Sequence, residues 1–190
     1  MIDKVIATIT KELSIYLDVV AGLDVPAIDK IKISHLFDST GDTIPAELGV
    51  TLVNIEEDRT NRAIDPYVKT DEGFAKVNPE IKLNLFVLFT ANFKDNYSEA
   101  LKFVSYVIQF FQAKNVFTTE NTTELDPRVQ KLIIELQPMS FEQQNYLWGM
   151  VGGKYLPSAL YKFRMLVIQD NLALEAITAT SKLRQNSGNN

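Results

Sequence analysis

The chain has 190 residues, 46% of them apolar, and its 19 basic side chains against 24 acidic ones leave a net charge of −5. That length supports one sizeable core rather than two, and an acidic chain with no basic run is a poor match for nucleic acid, which is held by phosphate neutralisation. Cysteine is absent and His35 is the sole histidine, which removes disulfides, thiolate catalysis, cysteine zinc sites and every arrangement that needs two histidines.

Ile2, Val5, Ile6, Ile9, Leu13, Tyr16, Leu17 and Val20 recur at spacings of three and four, which predicts an opening amphipathic helix. The start also lacks a basic region followed by an apolar run, and no window approaches the roughly 20 apolar residues of a membrane span. From Ala21 to Ala46 the pattern dissolves into glycines, prolines and a polar run, with a short strand possible at Ile31 and Ile33. A connection this long in a compact domain points to function.

Leu48, Val50 and Leu52 alternate, and Val53 and Ile55 change phase near Asn54, which predicts a bulged strand running into Glu56, Glu57 and Asp58. A polar loop is expected from Arg59 to Pro79. Ile81, Leu83, Leu85, Val87 and Phe89 then share one strand face, while the other turns apolar at Phe86 and Leu88, so the second half of that strand should be covered on both sides.

Asn96 and Glu99 have the spacing of a capping box. Behind them Leu101, Val104, Ile108 and Phe111 form a stripe flanked by Phe103, Val107 and Phe110, which predicts a heavily buried helix. Leu132, Ile134 and Leu136 mark another strand, and Ser140 with Gln143 a second capping box. The helix that follows carries Leu147, Trp148 and Val151 and stops at Gly152 and Gly153, where glycine tolerates the left-handed conformation. A turn through Tyr155, Pro157 and Ser158 enters a last strand, about 159–169, with Tyr161, Phe163, Met165 and Val167 on one face. The expected architecture is α+β, a twisted mixed or antiparallel sheet with flanking helices mainly on one face. Residues 1–170 are expected to form one domain and 171–190 a polar tail with little order.

No catalytic constellation emerges. His35 has no serine motif around it and no identifiable second titratable partner. The acidic group Glu56, Glu57, Asp58, Asp65, Asp71 and Glu72 lacks the alternating ligand spacing of a calcium loop and reads as a solvated edge. There is no phosphate-cradling glycine loop and no nucleophile elbow. Trp148, Tyr155 and Tyr161 have the chemistry of a stacking platform, but aromatics beside a turn more often pack it. No cofactor or metal is expected.

Four segments together, GVTLVNIEEDRTNR, NPEIKLNLFVLFTANFKDNYSEALKFVSYVIQFFQ, KLIIELQPMSFEQQNYLW and KYLPSALYKFRML, resemble the N-terminal domain of the cap, or tail terminator, proteins of phage-tail-like contractile injection systems. The resemblance runs from about residue 2 to residue 170. It implies a fold similar to phage tail terminators and a structural, non-enzymatic role. The implied assembly is a homohexameric ring that ends the inner tube and sheath, made in the cytoplasm and then part of the particle. Trp148, Gly152, Gly153, Tyr155, Pro157, Ser158 and Tyr161 are read as a frame, and Asp38, Asp58, Arg59, Arg62, Tyr67 and Lys69, on or beside the two long polar connections, as candidate interface with ring or tube. The competing readings are a small-molecule-binding or hydrolytic α/β protein and a terminator of a related phage or secretion apparatus.

Overall fold

The structure, a computed structural model, describes residues 1–21, 26–37, 47–58, 67–70, 73–76, 81–93, 96–151 and 154–167, with 67–70, 73–76 and 166–167 described by their backbone. Helix α1 (Ile2–Ala21) buries Val5, Ile6, Ile9, Leu13 and Leu17. The periodic stripe therefore holds through Leu17, whereas Val20, in the last turn, is exposed. A single helical turn, α2 (Ala27–Lys30), is fastened to α1 by the Ala27 N–H donating to Asp18 Oδ1 at 2.7 Å.

The main sheet has six strands in the order β1-β2-β5-β8-β7-β6. They are β1 (Ile31–Ile33), β2 (Leu48–Glu57), β5 (Ile81–Ala91), β8 (Ser158–Val167), β7 (Val129–Leu136) and β6 (Val116–Phe117). Only β1 and β2 pair in parallel, so the sheet is mixed. The register of β2 on β5 slips between Leu52 and Asn54. That bulge accommodates Val53 and keeps Ile55 on the face of Leu85, the phase change visible in the sequence.

Two layers cover the sheet unequally. Helix α3 (Tyr97–Ala113) joins α1 on the face of Val50, Val87, Phe89, Ile134, Tyr161 and Phe163 to enclose the main core. Tyr16 of α1 meets Phe110 of α3 at 5.4 Å between ring centroids, and Glu12 pairs with Lys114 Nζ at 2.9 Å. Helix α4 (Phe141–Val151) lies on the opposite face, where Trp148 packs with Leu36, Phe37, Leu88 and Leu160. The two long helices thus share a face as expected and α4 takes the other. It follows that the second half of β5 is buried on both sides.

Three readings of the sequence are corrected. The stretch 59–79 is not all loop, because β3 (Tyr67–Thr70) and β4 (Gly73–Lys76) form a separate two-stranded hairpin within it. Helix α3 is not enclosed all round: its buried side is Ala100, Phe103, Val107, Phe110 and Phe111, while Leu101 and Ile108 are exposed. The stripe set by spacing is right for Phe111, but its centre lies one residue over. Leu136, placed with Leu132 and Ile134, shares their face but is 54% exposed, because the two-residue β6 covers only Leu132 and Ile133. The strand β6 itself is too short to leave a period in the sequence.

Candidate interface surfaces

Helix α4 opens on the local signal that predicted it. Ser140 and Gln143 form the reciprocal capping box: the Ser140 N–H donates to Gln143 Oε1 at 2.9 Å and the Gln143 N–H to Ser140 Oγ at 3.2 Å. These bonds satisfy two of the orphan donors at the start of α4. At the other capping site Asn96 Oδ1 accepts from the Glu99 N–H at 3.1 Å, but the return bond is replaced by the Asn96 N–H donating to the Phe93 carbonyl at 3.3 Å.

Downstream of α4, Tyr155 sets its ring edge against Trp148, 5.5 Å between centroids at 65°. Pro157 is buried and its carbonyl accepts from the Ala91 N–H at 2.9 Å. Ser158 opens β8 opposite Thr90, with its Oγ buried and unpartnered. Tyr161 parts from this group. Alternation along β8 puts it on the α3 face, 4.5 Å from the Phe111 centroid and 5.7 Å from that of Phe89. Burial pushes its phenol up to about 12. The frame is therefore two pieces on opposite faces, and Trp148, Tyr155 and Tyr161 make no common platform. Gly152 and Gly153 lie outside the described residues.

Of the interface residues, Asp58 ends β2, where its N–H donates to the Lys82 carbonyl at 2.8 Å. It lines a shallow cleft with Lys82, Asn84, Lys131 and Arg164. Tyr67 and Lys69 lie on β3, opposite Lys76 and Phe74 of β4. Asp38, Arg59 and Arg62 fall outside the described residues. The structure thus brings Tyr67 and Lys69 onto one strand.

Between α4 and the sheet runs an open groove of about 440 Å³ lined mainly by Val53, Phe86, Met139, Leu147, Met150 and Leu160, in which Glu56 is the sole titratable side chain among the described residues. A lone exposed carboxylate in an apolar groove supplies no base and acid pair. Among the described residues no three His, Cys, Asp or Glu side chains gather to hold a metal, and no helix is long and apolar enough to cross a membrane. His35 is exposed.

Sequence reasoning missed the apolar surface of α4, where Phe141, Tyr146 and Met150 are exposed. The signal was present: the apolar residues of 141–151 do not fall on one stripe, so one helix face cannot bury them all. It also missed the two ends of the sheet, where Ile33 on β1 and Leu136 on β7 stand half exposed.

Residues 4–181 match the family described as the Pvc16 N-terminal domain. No curated protein matches the chain by sequence. Among solved structures, the chain is similar to the sheath/tube terminator of an extracellular contractile injection system, PVC, in its extended state, with a TM-score of 0.53, 16% identity, and coverage of 86% of this chain and 57% of that one. It is also similar to the tube-terminating cap of the anti-feeding prophage, with a TM-score of 0.57, 16% identity, and coverage of 90% and 56%. The chain spans little more than half the length of these two proteins, and at such identity the likeness is one of fold: a mixed sheet with flanking helices shared with terminator and cap proteins.

Proposed function

The chain belongs to the Pvc16 N-terminal domain family, and from that membership we propose that it is a structural cap of a contractile injection particle, a ring of six copies that ends growth of the inner tube and sheath. The observation that carries this reading is the family match across 4–181, joined to a fold shared with a sheath/tube terminator and a tube-terminating cap. Residues 1–170 act as the structural unit, assembled in the cytoplasm and then carried on the particle, and 171–190 as an appended tail.

A ring of six identical subunits joined by one head-to-tail interface closes only when each contact rotates the next copy by one sixth of a turn. Closure leaves two chemically different faces. One matches the last layer of tube or sheath, and the other offers nothing to pair with, so polymerisation stops. The connection that holds β3 and β4 supports a contact role for Arg59, Arg62, Tyr67 and Lys69: neighbouring antiparallel strands such as β2 and β5 need only a short turn, and long insertions on a rigid scaffold tend to carry function. A two-stranded hairpin is at best marginally stable by itself, which suits a segment completed by a partner. Asp38, in the other long connection, and Asp58 are assigned to the same contacts.

Electron microscopy of particles assembled with and without the chain tests the reading. Overlong or ragged tubes are expected in its absence. Tubes of unchanged length and intact ends would refute it.

A further inference from the structure

The two edges of the main sheet are unlike each other and complementary. At one edge β1 offers its outer side, with Ile33 exposed on the α1/α3 face and Lys32 exposed on the other; Ile28 of α2 is exposed beside it. At the opposite edge β7 outruns β6, so among the described residues the outer sides of Glu135 and Leu136 carry no strand. Here too the face alternates: Leu136 pairs across from Tyr161 on the α1/α3 face, and Glu135 from Lys162 on the other. Under Leu136 lies a groove of about 460 Å³ between α3 and β7, lined by Ile108, Phe111, Ile134 and Leu136.

Edges that must stay single are usually blunted by charge, proline or cover. These carry an exposed Ile33 and an exposed Leu136. Their charges also discriminate. Two copies of β1 side by side would bring lysines together, and two copies of the β7 end would bring glutamates together. In a sheet continued with the same face, β1 of the second copy runs antiparallel to β7, and Ile33 opposite Leu136 then puts Lys32 diagonally across from Glu135 on the other face, within reach of two long side chains. Opposite charges on neighbouring strands attract and like charges repel, so the pattern rejects a two-fold dimer and favours a head-to-tail contact. Glu135 is free to respond, being half exposed and held by Arg164 only at 3.6 Å. Four inter-strand spacings of about 4.8 Å put β7 about 19 Å from β1, so one copy cannot satisfy both.

We propose that the occupant of the β7 edge is β1 of a second copy, with Ile33 and Ile28 seated over the α3–β7 groove and Lys32 meeting Glu135, and that this contact repeats around the ring. It rests on the ring reading above and names its lateral interface.

The cysteine-free chain allows a direct test. Ile33→Cys and Leu136→Cys, made separately at exposed positions and then mixed, are treated with a short bismaleimide. Cross-linked dimers are expected in the mixture and not in either variant alone, and adding Lys32→Glu to the first variant should reduce the yield several-fold, with Glu135→Lys in the second restoring it. Rings in negative stain without cross-linked dimers would overturn this contact and leave the cap reading standing. Dimers in a single variant would overturn the head-to-tail polarity. Monomers throughout, with tubes still correctly ended, would overturn the contact and the ring together.

Discussion

Replacing Trp148 by alanine removes the one α4 side chain that is buried, 5% exposed among Leu36, Phe37, Leu88 and Leu160. A tryptophan hides 150–250 Å², which at about 25 cal/mol per Å² is worth about 4–6 kcal/mol as an upper bound. Against this stands the indole Nε1, buried without a hydrogen-bond partner, whose removal returns about 1–3 kcal/mol of desolvation cost. The net loss is therefore about 3 kcal/mol. In a chain of this size that lowers Tm by about 6–12 °C. Urea unfolding followed by far-ultraviolet circular dichroism measures it, since the variant has no tryptophan to report. Trp148→Phe keeps much of the packing and deletes the orphan donor, so its cost should be less than half that of the alanine variant. An alanine variant within about 0.5 kcal/mol of wild type would show that α4 is not anchored through this residue. A phenylalanine variant as damaged as the alanine one would show that the indole N–H is bonded after all.

Gly49 pairs with Thr90 across β2 and β5, and a Cβ there would stand 2.5 Å from Thr90 Oγ1 and 3.7 Å from Leu36. Gly49→Ala should cost about 1–3 kcal/mol through overpacking, and Thr90→Ser, whose hydroxyl can rotate away, should recover part of it in a thermal melt; an alanine variant as stable as wild type would refute the close approach. Asp126 is buried and accepts from Arg128 Nη2 at 2.8 Å and Nε at 3.0 Å. Those hydrogen bonds hold its carboxyl well below the usual carboxylate range. Its stabilisation is therefore fully present above the unfolded value and is lost as pH falls below about 4. Asp126→Asn should be less stable than wild type at pH 7, with the gap closing in acid; a gap independent of pH would sink the assignment. Asn96→Ala removes the N-cap of α3 and should cost about 1 kcal/mol, read as a shift in denaturant midpoint at unchanged slope.

What the sequence revealed was whatever repeats within a few residues. The capping pairs Asn96–Glu99 and Ser140–Gln143, the alternation of β5 and β8 and even the bulge at Val53 are local facts, each fixed by side-chain chemistry over two to five positions. The α4 turn was legible for the same reason. Which sheet face each helix covers was not, because that depends on the strand order, and Trp148 and Tyr161, thirteen residues apart, end on opposite sides. The exposure of Leu136 was hidden likewise, since it lies past the two residues of β7 that β6 pairs, and that of Leu101 and Ile108 follows from which side of α3 meets the sheet. The edge residues Lys32, Ile33, Glu135 and Leu136 gain their meaning only once β1 and β7 are known to lie at opposite ends.

If β1 and β7 form the lateral contact, a closed ring uses up β1 and the part of β7 that the short β6 leaves open. Axial contact must then come from elsewhere, and the connection 59–80 is suited to it, because it departs from the ends of β2 and β5, central strands whose own edges are already paired. Deleting residues 60–75 separates the two roles. The loss of ordered hairpin should leave the six-stranded sheet intact, since β2 and β5 keep their register through Glu57 and Leu83, and closing a shorter loop costs less entropy. We expect the deletion variant to retain the Ile33→Cys with Leu136→Cys cross-link and to fail to cap tubes in electron microscopy. Loss of the cross-link in a variant that still melts cooperatively would place part of the lateral contact in that connection. Normal capping by the deletion variant would remove it from the tube contact altogether.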